Sequence, residues 1–343
     1  MFILNTLIDN FKKRIVFVFL VIGLIFSILI TGCSQNSNIT DENTIVLYGF
    51  SVKGEVFDQK IIPAFKNYWK QKTNKDIEFA TIYAGSGKIA KQVMAGSPAE
   101  VMILSTEWDA MQLKKTGLIT TDWNTFPNQG TVSMSPWVIV TRNGNPKKIN
   151  DFSDLTKEGI QIVQADPLTS GGACWAVFSI YGSALEKKFT KNQAKDLLAY
   201  EVKNVISWQA SAREALSQFD LGYGDAILTY EAEALLTKTL DRGYYFVYPP
   251  STIYSEHKVV IIDKNISIDE QTVINEFVQF LFTSEVQNYF VEYGFRSINE
   301  ELNSKNKDFP AIEKPFKVDY LGGWERAYAE LIDGVFSEIK NSK

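Results

Sequence analysis

One pattern restricts this chain more than any other: short apolar runs alternate with longer stretches of helical character. The runs lie at residues 45–48, 77–82, 101–104, 137–141, 160–164, 225–229, 246–248 and 259–262. They are rich in Val, Ile and aromatic residues and too short for helices, so each predicts a strand. Residues 57–72, 88–95, 108–115, 191–201 and 213–219 carry the apolar spacing of helices. Strands joined through helices return as parallel neighbours with the helices on the sheet faces, which makes the expected class α/β. At 343 residues the chain is long for a single core, and two lobes are expected.

Prolines and glycines mark where such lobes would divide. Pro136 and Gly144-Asn145-Pro146 bracket the run 137–141, and Pro249-Pro250 precedes the region 255–262. Each region is read as a strand crossing between lobes. Helical patterns at 270–282, 284–293 and 324–339 are expected to return to the first lobe. The division is then 44–136 with 258–343 as lobe 1 and 137–257 as lobe 2. Two crossings between α/β lobes make a hinged cleft suited to enclosing a small ligand.

The first 32 residues are read as lying outside this fold. Lys12-Lys13-Arg14 precedes an apolar run from 15 to 30, interrupted by Gly23 and Ser27, and Ile30-Thr31-Gly32-Cys33 follows. A basic flank, an apolar stretch and small exit residues describe an export signal. The closing tetrapeptide is the lipobox pattern of bacterial lipoproteins, which makes Cys33 the expected lipidation site. An uncleaved membrane anchor is the other reading of the same run. Residues 33–43 are polar and aperiodic, as a tether would be.

Several functions are disfavoured by what remains. The whole chain carries a net charge of −5, and residues 1–32 contribute three basic groups against one acidic. The remainder is therefore more acidic still and shows no basic stripe, which argues against a nucleic-acid partner. Cys33 and Cys174 are the only cysteines, and His257 is the only histidine. No Cys-x-x-Cys or multi-histidine metal site can be built from them, and no cofactor is expected. Cys174 reads as a buried small hydrophobe and His257 as a structural residue, since neither has a visible catalytic partner. No catalytic residue is assigned.

What the chain does carry is a set of hydroxyl-and-glycine turns between strands and helices. The fullest is QADPLTSGGACWAVF, residues 164–178, where Ser170-Gly171-Gly172 stands at the start of a helix. It offers a hydroxyl and backbone amides unobstructed by a side chain. Ala84-Gly85-Ser86-Gly87-Lys88 repeats the theme, and Ser86 reads either as a helix cap or as a ligand donor. A nucleotide phosphate loop is excluded there, because Ile82 stands where that motif needs its first glycine and Ile89 where it needs a hydroxyl. Ser51, and Ser211-Ala212-Arg213, complete the set. Each lies where open α/β sheets bind ligands, with unpaired amides at a helix start. None of these turns contains a carboxylate, although Asp166 and Glu55 are nearby in sequence. A donor-only site suits a fully ionised oxyanion, whereas a proton-bearing one also needs an acceptor.

These motifs together resemble the sulfate- and thiosulfate-binding proteins that feed ABC importers. The resemblance rests on Ala84-Gly85-Ser86-Gly87-Lys88 with Gln92-Val93, Gly117-Leu118-Ile119 with Asp122-Trp123, and Arg142 through Lys147. It continues through Asp166-Pro167-Leu168-Thr169-Ser170-Gly171-Gly172-Ala173 with Trp175, Ala212-Arg213, Gly224-Asp225, Glu231 with Glu233-Ala234-Leu235-Leu236, Gly294-Phe295-Arg296 and Gly322-Gly323-Trp324. It implies the two-lobed type II periplasmic-binding fold with the ligand in the inter-lobe cleft. Carried over position by position, the anion donors would be Ser86, Ser170, Gly171, Gly172 and Ala212, with Arg213 behind them. Ser51, at a position usually held by Asp, and Tyr230, at one usually held by Trp, are expected to contact the anion as well, Tyr230 donating through its hydroxyl; Cys174 stands where Arg is common. The implied protein is a monomeric, lipid-anchored receptor outside the membrane. It would bind sulfate or thiosulfate and deliver it to an ABC permease. The alternatives are a phosphate or molybdate receptor on the same fold, or an extracytoplasmic enzyme or sensor for sulfated or phosphorylated small molecules.

Overall fold

The computed structural model describes residues 43–341. The expected signal segment, Cys33 and nearly all of the tether lie outside the described residues. Ten strands occur among those described: β1 Thr44–Phe50, β2 Glu78–Ala84, β3 Val101–Leu104, β4 Thr131–Thr141, β5 Ile162–Ala165, β6 Val205–Gln209, β7 Ala226–Tyr230, β8 Tyr245–Val247, β9 Ser251–Ile261 and β10 Lys314–Phe316. They join in the order β2-β1-β3-β9-β4-β7-β5-β6, with β10 on β9 and β8 on β4.

The sheet has two halves of the expected parallel kind. β2, β1 and β3 run parallel in one, and β7, β5 and β6 run parallel in the other. What joins them was not expected to be so extensive. β4 and β9 are eleven residues long each and antiparallel to each other, to β3 and to β7 and β8, while β10 runs parallel to β9. The start of β4 pairs with β9 while its end pairs with β7 and β8, and the end of β9 pairs with β3. A strand of that length can serve both halves at once. The sequence runs 137–141 and 259–262 cover only the apolar ends of β4 and β9. Their other parts contain Thr131, Ser133, Ser135, Ser251, Thr252 and Ser255, all buried. Hydroxyls there bond across the ladder: Thr252 Oγ1 donates to Trp137 O at 2.6 Å and Ser255 Oγ to Ser135 O at 2.6 Å. Buried hydroxyls satisfied in this way are compatible with a sheet interior but disguise the strand from an apolar count.

Nine of the helices matter for the site: α1 Ile62–Thr73, α2 Ser86–Met94, α3 Glu107–Lys115, α4 Gly171–Glu186, α5 Lys191–Asn204, α6 Ala212–Asp220, α7 Glu231–Thr239, α8 Gln271–Phe280 and α9 Ser284–Glu292. α4 is buried from Gly171 to Ala184, because its sequence is apolar on every face. The C-terminal helical segment begins at Trp324, whose ring lies 4.8 Å from Trp175 and 5.7 Å from Phe178 of α4. One turn on, Tyr328 stacks on Trp108 of α3 at 4.3 Å, and Lys340 pairs with Asp166. This segment, expected on the first lobe alone, therefore touches elements of both halves.

Candidate functional site

The site begins at three helix starts. The strands β2, β5 and β6 are each followed by a tight turn and then by α2, α4 and α6. Because the two half-sheets face each other, these turns meet. A Cβ on Gly85 would lie 2.5 Å from Ala210 O and 2.7 Å from Thr169 O. Lys88 N donates to Thr169 O at 3.0 Å, so the first turn of α2 is bonded to the turn before α4. The turn Ser51–Lys53 packs against α6. All four sequence-predicted turns are thus neighbours.

At α4, Ser170 is the N-cap, its hydroxyl makes no capping bond, and it is buried. The first amides of a helix have no partner within it, which leaves those of Gly171 and Gly172 as open donors. Close approach explains both glycines. A Cβ on Gly171 would come within 2.8 Å of Asp109 Oδ2 and 3.0 Å of Ser86 Cβ; on Gly172 it would meet Tyr230 Oη at 2.5 Å. At α6, Ser211 accepts from Glu214 N, and Ala212, buried, opens the helix. Ser51 is half-buried at the start of its turn.

Two expected donors are held differently from the sequence reading. Ser86 donates its hydroxyl proton to Asp109 Oδ2 at 2.6 Å and accepts from Ser105 N at 3.0 Å. The hydroxyl of Ser86 is therefore engaged within the protein, and what it leaves open is its backbone amide. Tyr230 is fully buried, with its hydroxyl 2.6 Å from Ser105 Oγ, and burial holds its phenol well above the ordinary range. Ser105 in turn receives Trp175 Nε1 on its carbonyl at 3.0 Å and its hydroxyl at 3.2 Å.

Arg213, in the first turn of α6, is held by two carboxylates and ties the halves together. Its Nε donates to both oxygens of Glu233 at 3.1 and 3.0 Å, and Nη2 reaches Glu233 Oε1 at 2.6 Å. Nη2 also donates to Glu55 Oε2 at 3.0 Å, and Nη1 pairs with Glu55 Oε1. Burial works against the charge, but Glu233 and Glu55 outweigh it and hold the guanidinium above its usual range. Glu55 follows β1 in one half, whereas α6 and α7 belong with β7 and β5 in the other.

The residues missed by sequence reasoning are Ser105, Thr106, Asp109 and Lys53. Ser105-Thr106 follows β3, and Thr106 caps α3 by accepting from Asp109 N. That is the same strand–hydroxyl–helix signal as at the other turns, so it was available. Lys53 is completely buried; its Nζ donates to Ser133 Oγ at 2.5 Å and lies 3.4 Å from the centre of the Phe295 ring. Ser133 and Ser255 also bracket His257 on β9, at 2.9 and 3.1 Å. Burial and the nearby Lys53 push the imidazole well down, as befits a structural histidine. Cys174 is buried, with its Sγ 3.7 Å from Pro167 O.

Residues 56–296 match the family described as bacterial extracellular solute-binding protein. The chain belongs to that family. This solute-binding protein is similar to the sulfate-binding protein of Synechococcus elongatus, with 34% identity over 92% of this chain and 93% of that one. It is similar to the thiosulfate-binding protein of Pseudomonas aeruginosa, with 31% identity over 82% of this chain and 88% of the other. Among solved structures, the sulfate-binding protein SubI of Mycobacterium tuberculosis has a TM-score of 0.78 and 28% identity, covering 85% of this chain and all of that one. The fold is accordingly the two-lobed type II periplasmic-binding fold, as the sequence resemblance implied.

Proposed function

We propose that this solute-binding protein captures sulfate or thiosulfate outside the membrane and delivers it to an ABC permease. The observation that carries the reading is the meeting of the starts of α2, α4 and α6, with the two unencumbered glycine amides of α4 among them. Each helix start brings a partial positive charge, and several together can hold a dianion without a cation in contact. The relatives named as sulfate- and thiosulfate-binding proteins support the same ligand class. Their names are those of binding proteins, which favours a receptor over an enzyme.

On this reading the anion donors are the Ser170 hydroxyl, the Gly171, Gly172, Ser86 and Ala212 amides, and Ser51, with Tyr230 shaping the wall. The lobes would be 44–136 with 258–343 and 137–257, closing on the ligand about β4 and β9. The receptor would act as a monomer held to the membrane by a lipid on Cys33. Calorimetric titration with sulfate, thiosulfate, phosphate and molybdate tests the ligand. Selective binding of sulfate and thiosulfate is expected, and preference for phosphate would overturn that specificity. Membrane retention lost in Cys33→Ala tests the anchor; equal retention would assign anchoring to the apolar run instead.

A further inference from the structure

The wall beside the α4 clamp holds one hydroxyl proton too many. Ser105 and Tyr230 are fully buried, and their hydroxyl oxygens lie 2.6 Å apart. Two hydroxyls carry two protons, and the single bond between them uses one. Trp175 Nε1, which can only donate, reaches Ser105 O at 3.0 Å and Ser105 Oγ at 3.2 Å. Ser105 Oγ is therefore an acceptor on that side. Asp109 and Glu233 add negative charge around Tyr230, but Ser86 and Thr106 engage the first and Arg213 the second. Among the described residues neither hydroxyl donates to any other acceptor. A buried donor is costly to leave without an acceptor. This one stands against the clamp, since a Cβ on Gly172 would meet Tyr230 Oη at 2.5 Å.

We propose that Ser105 is a positioning residue for the anion: it donates to Tyr230 Oη and thereby turns the phenol O–H onto a ligand oxygen beside the Gly172 amide. The inference rests on the oxyanion reading above and adds to its donor set. The bonds run from Trp175 Nε1–H to Ser105 Oγ, from Ser105 O–H to Tyr230 Oη, and from Tyr230 O–H to the anion. Their direction is set at the head, because an indole N–H never accepts. Receiving that N–H makes the Ser105 hydroxyl a stronger donor in turn, and the oxygen that meets Gly172 is Tyr230 Oη. The ring is fixed by its neighbours: Trp137 meets it edge-on at 4.5 Å, and Phe50 and His257 lie at 5.6 Å. Burial keeps the phenol protonated, although the Ser105 hydrogen bond pulls the other way. Tyr230 therefore shares its proton with the anion without giving it up, and none is exchanged with solvent.

The same chain of bonds bears on which oxyanion is held. A hydroxyl, unlike an N–H, can donate or accept, so a tyrosine free to choose would serve an anion with or without a proton. Ser105 removes that choice. With a proton arriving from Ser105, Tyr230 Oη presents its own hydrogen to the ligand, and a ligand O–H would meet another hydrogen there. Sulfate carries no proton and suits that polarity, whereas hydrogen phosphate must turn its O–H elsewhere. Selectivity of this kind comes from disfavouring the competitor as much as from holding the ligand.

The test is titration calorimetry of the whole protein with sulfate and with inorganic phosphate in mildly alkaline buffer. Phosphate there is mostly a dianion that keeps one proton, so it matches sulfate in charge and differs in needing an acceptor. Tyr230→Phe is expected to lose about ten- to a hundredfold in sulfate affinity, as for one hydrogen bond to a charged ligand. Ser105→Ala leaves the Trp175 N–H its backbone carbonyl, so no buried donor is orphaned. It should lose about three- to tenfold for sulfate and hold or gain affinity for phosphate, which narrows the preference between them. Added to Tyr230→Phe, Ser105→Ala should change sulfate affinity little further, because the hydroxyl it aims is already gone. If phosphate binds too weakly to read, this cycle with sulfate decides. Equal losses for both anions, or full additivity of the two substitutions, would make Ser105 merely structural and overturn the inference. Wild-type sulfate affinity in Ser105→Ala would overturn it too, while leaving the receptor reading intact. Absence of any oxyanion binding by wild type would overturn the receptor reading and the inference with it.

Discussion

Removing the Glu55 arm of the Arg213 bridge should loosen closure without damaging either half. In Glu55→Gln, Arg213 keeps three contacts with Glu233, so no buried charge is left alone. What is lost is a charged pair between the two halves, with side chains 28% and 31% exposed. A hydrogen bond to a charged group contributes about 1.5–3 kcal/mol when sheltered, and an exposed ion pair about 0.2–1 kcal/mol. Partial exposure places this one near 1–1.5 kcal/mol, discounted for solvent. If the free protein rests open, that energy is available only on closure, and affinity should fall by about 5- to 10-fold. Titration calorimetry with sulfate reads the affinity, and small-angle scattering with and without sulfate reads closure. The effect also has a pH signature. Burial raises the Glu55 carboxyl, but Arg213 more than offsets this and holds it below its ordinary value. The bridge therefore contributes above that ordinary value and is lost as pH falls through the depressed one. Wild type should approach the variant only in acid. Unchanged affinity in Glu55→Gln, with an unchanged scattering difference, would refute the view that this bridge favours the closed form.

Three further outcomes follow from buried groups. Burial, with Glu270 adding to it, pushes the Glu100 carboxyl up to about 7 from 4.5. The folded state thus prefers the proton, and stability should be lost as pH rises from 4.5 to about 7. Glu100→Gln should remove that loss, up to about 3 kcal/mol once complete, read from melting curves at about pH 4.5 and about pH 8; parallel pH dependence in both proteins would contradict it. Burial also lowers the Lys53 ammonium well below its usual range, so the unfolded chain holds that proton more readily and stability should rise with pH. Lys53→Met should be more stable than wild type at neutral pH, on the order of 1–4 kcal/mol, by denaturant titration; a less stable variant would mean the ammonium is well satisfied by Ser133 and the rings of Phe50, Phe290 and Phe295. At the clamp, Ser170→Ala should weaken sulfate binding roughly ten- to a hundredfold for one charged hydrogen bond. Gly172→Ala should do at least as much, because Tyr230 Oη stands 2.5 Å from the new Cβ and overpacking costs about 1–3 kcal/mol; wild-type affinity in both variants would move the clamp elsewhere.

The contrast between what could and could not be read from the chain lies in how each residue is satisfied. The run 101–104 coincides with β3 because all four side chains are buried and apolar. The turn at Ser170-Gly171-Gly172 was legible because its chemistry is local: a cap, two open amides and the helix that follows. β6 was not, since Val205 follows the last residue of α5 directly and only Val205 of the strand is buried. Nor could sequence show that Arg213 is shared by Glu55 and Glu233, because Glu55 is 158 residues away and only the meeting of the halves pairs them. Asp109 is the sharper case. In sequence it is an ordinary first-turn acid of α3, where a carboxylate complements the helix dipole. Its neighbour Gly171 lies in the other half of the fold, and Ser86 reads locally as a cap or a donor. Only when α2, α3 and α4 begin at one place does the supposedly donor-only site acquire an acceptor. The inference from turn composition to a donor-only site therefore needs revision at one residue: the carboxyl of Asp109 takes the hydroxyl proton of Ser86, so what that turn offers a ligand is its backbone amide and not the side chain that sequence reading singles out.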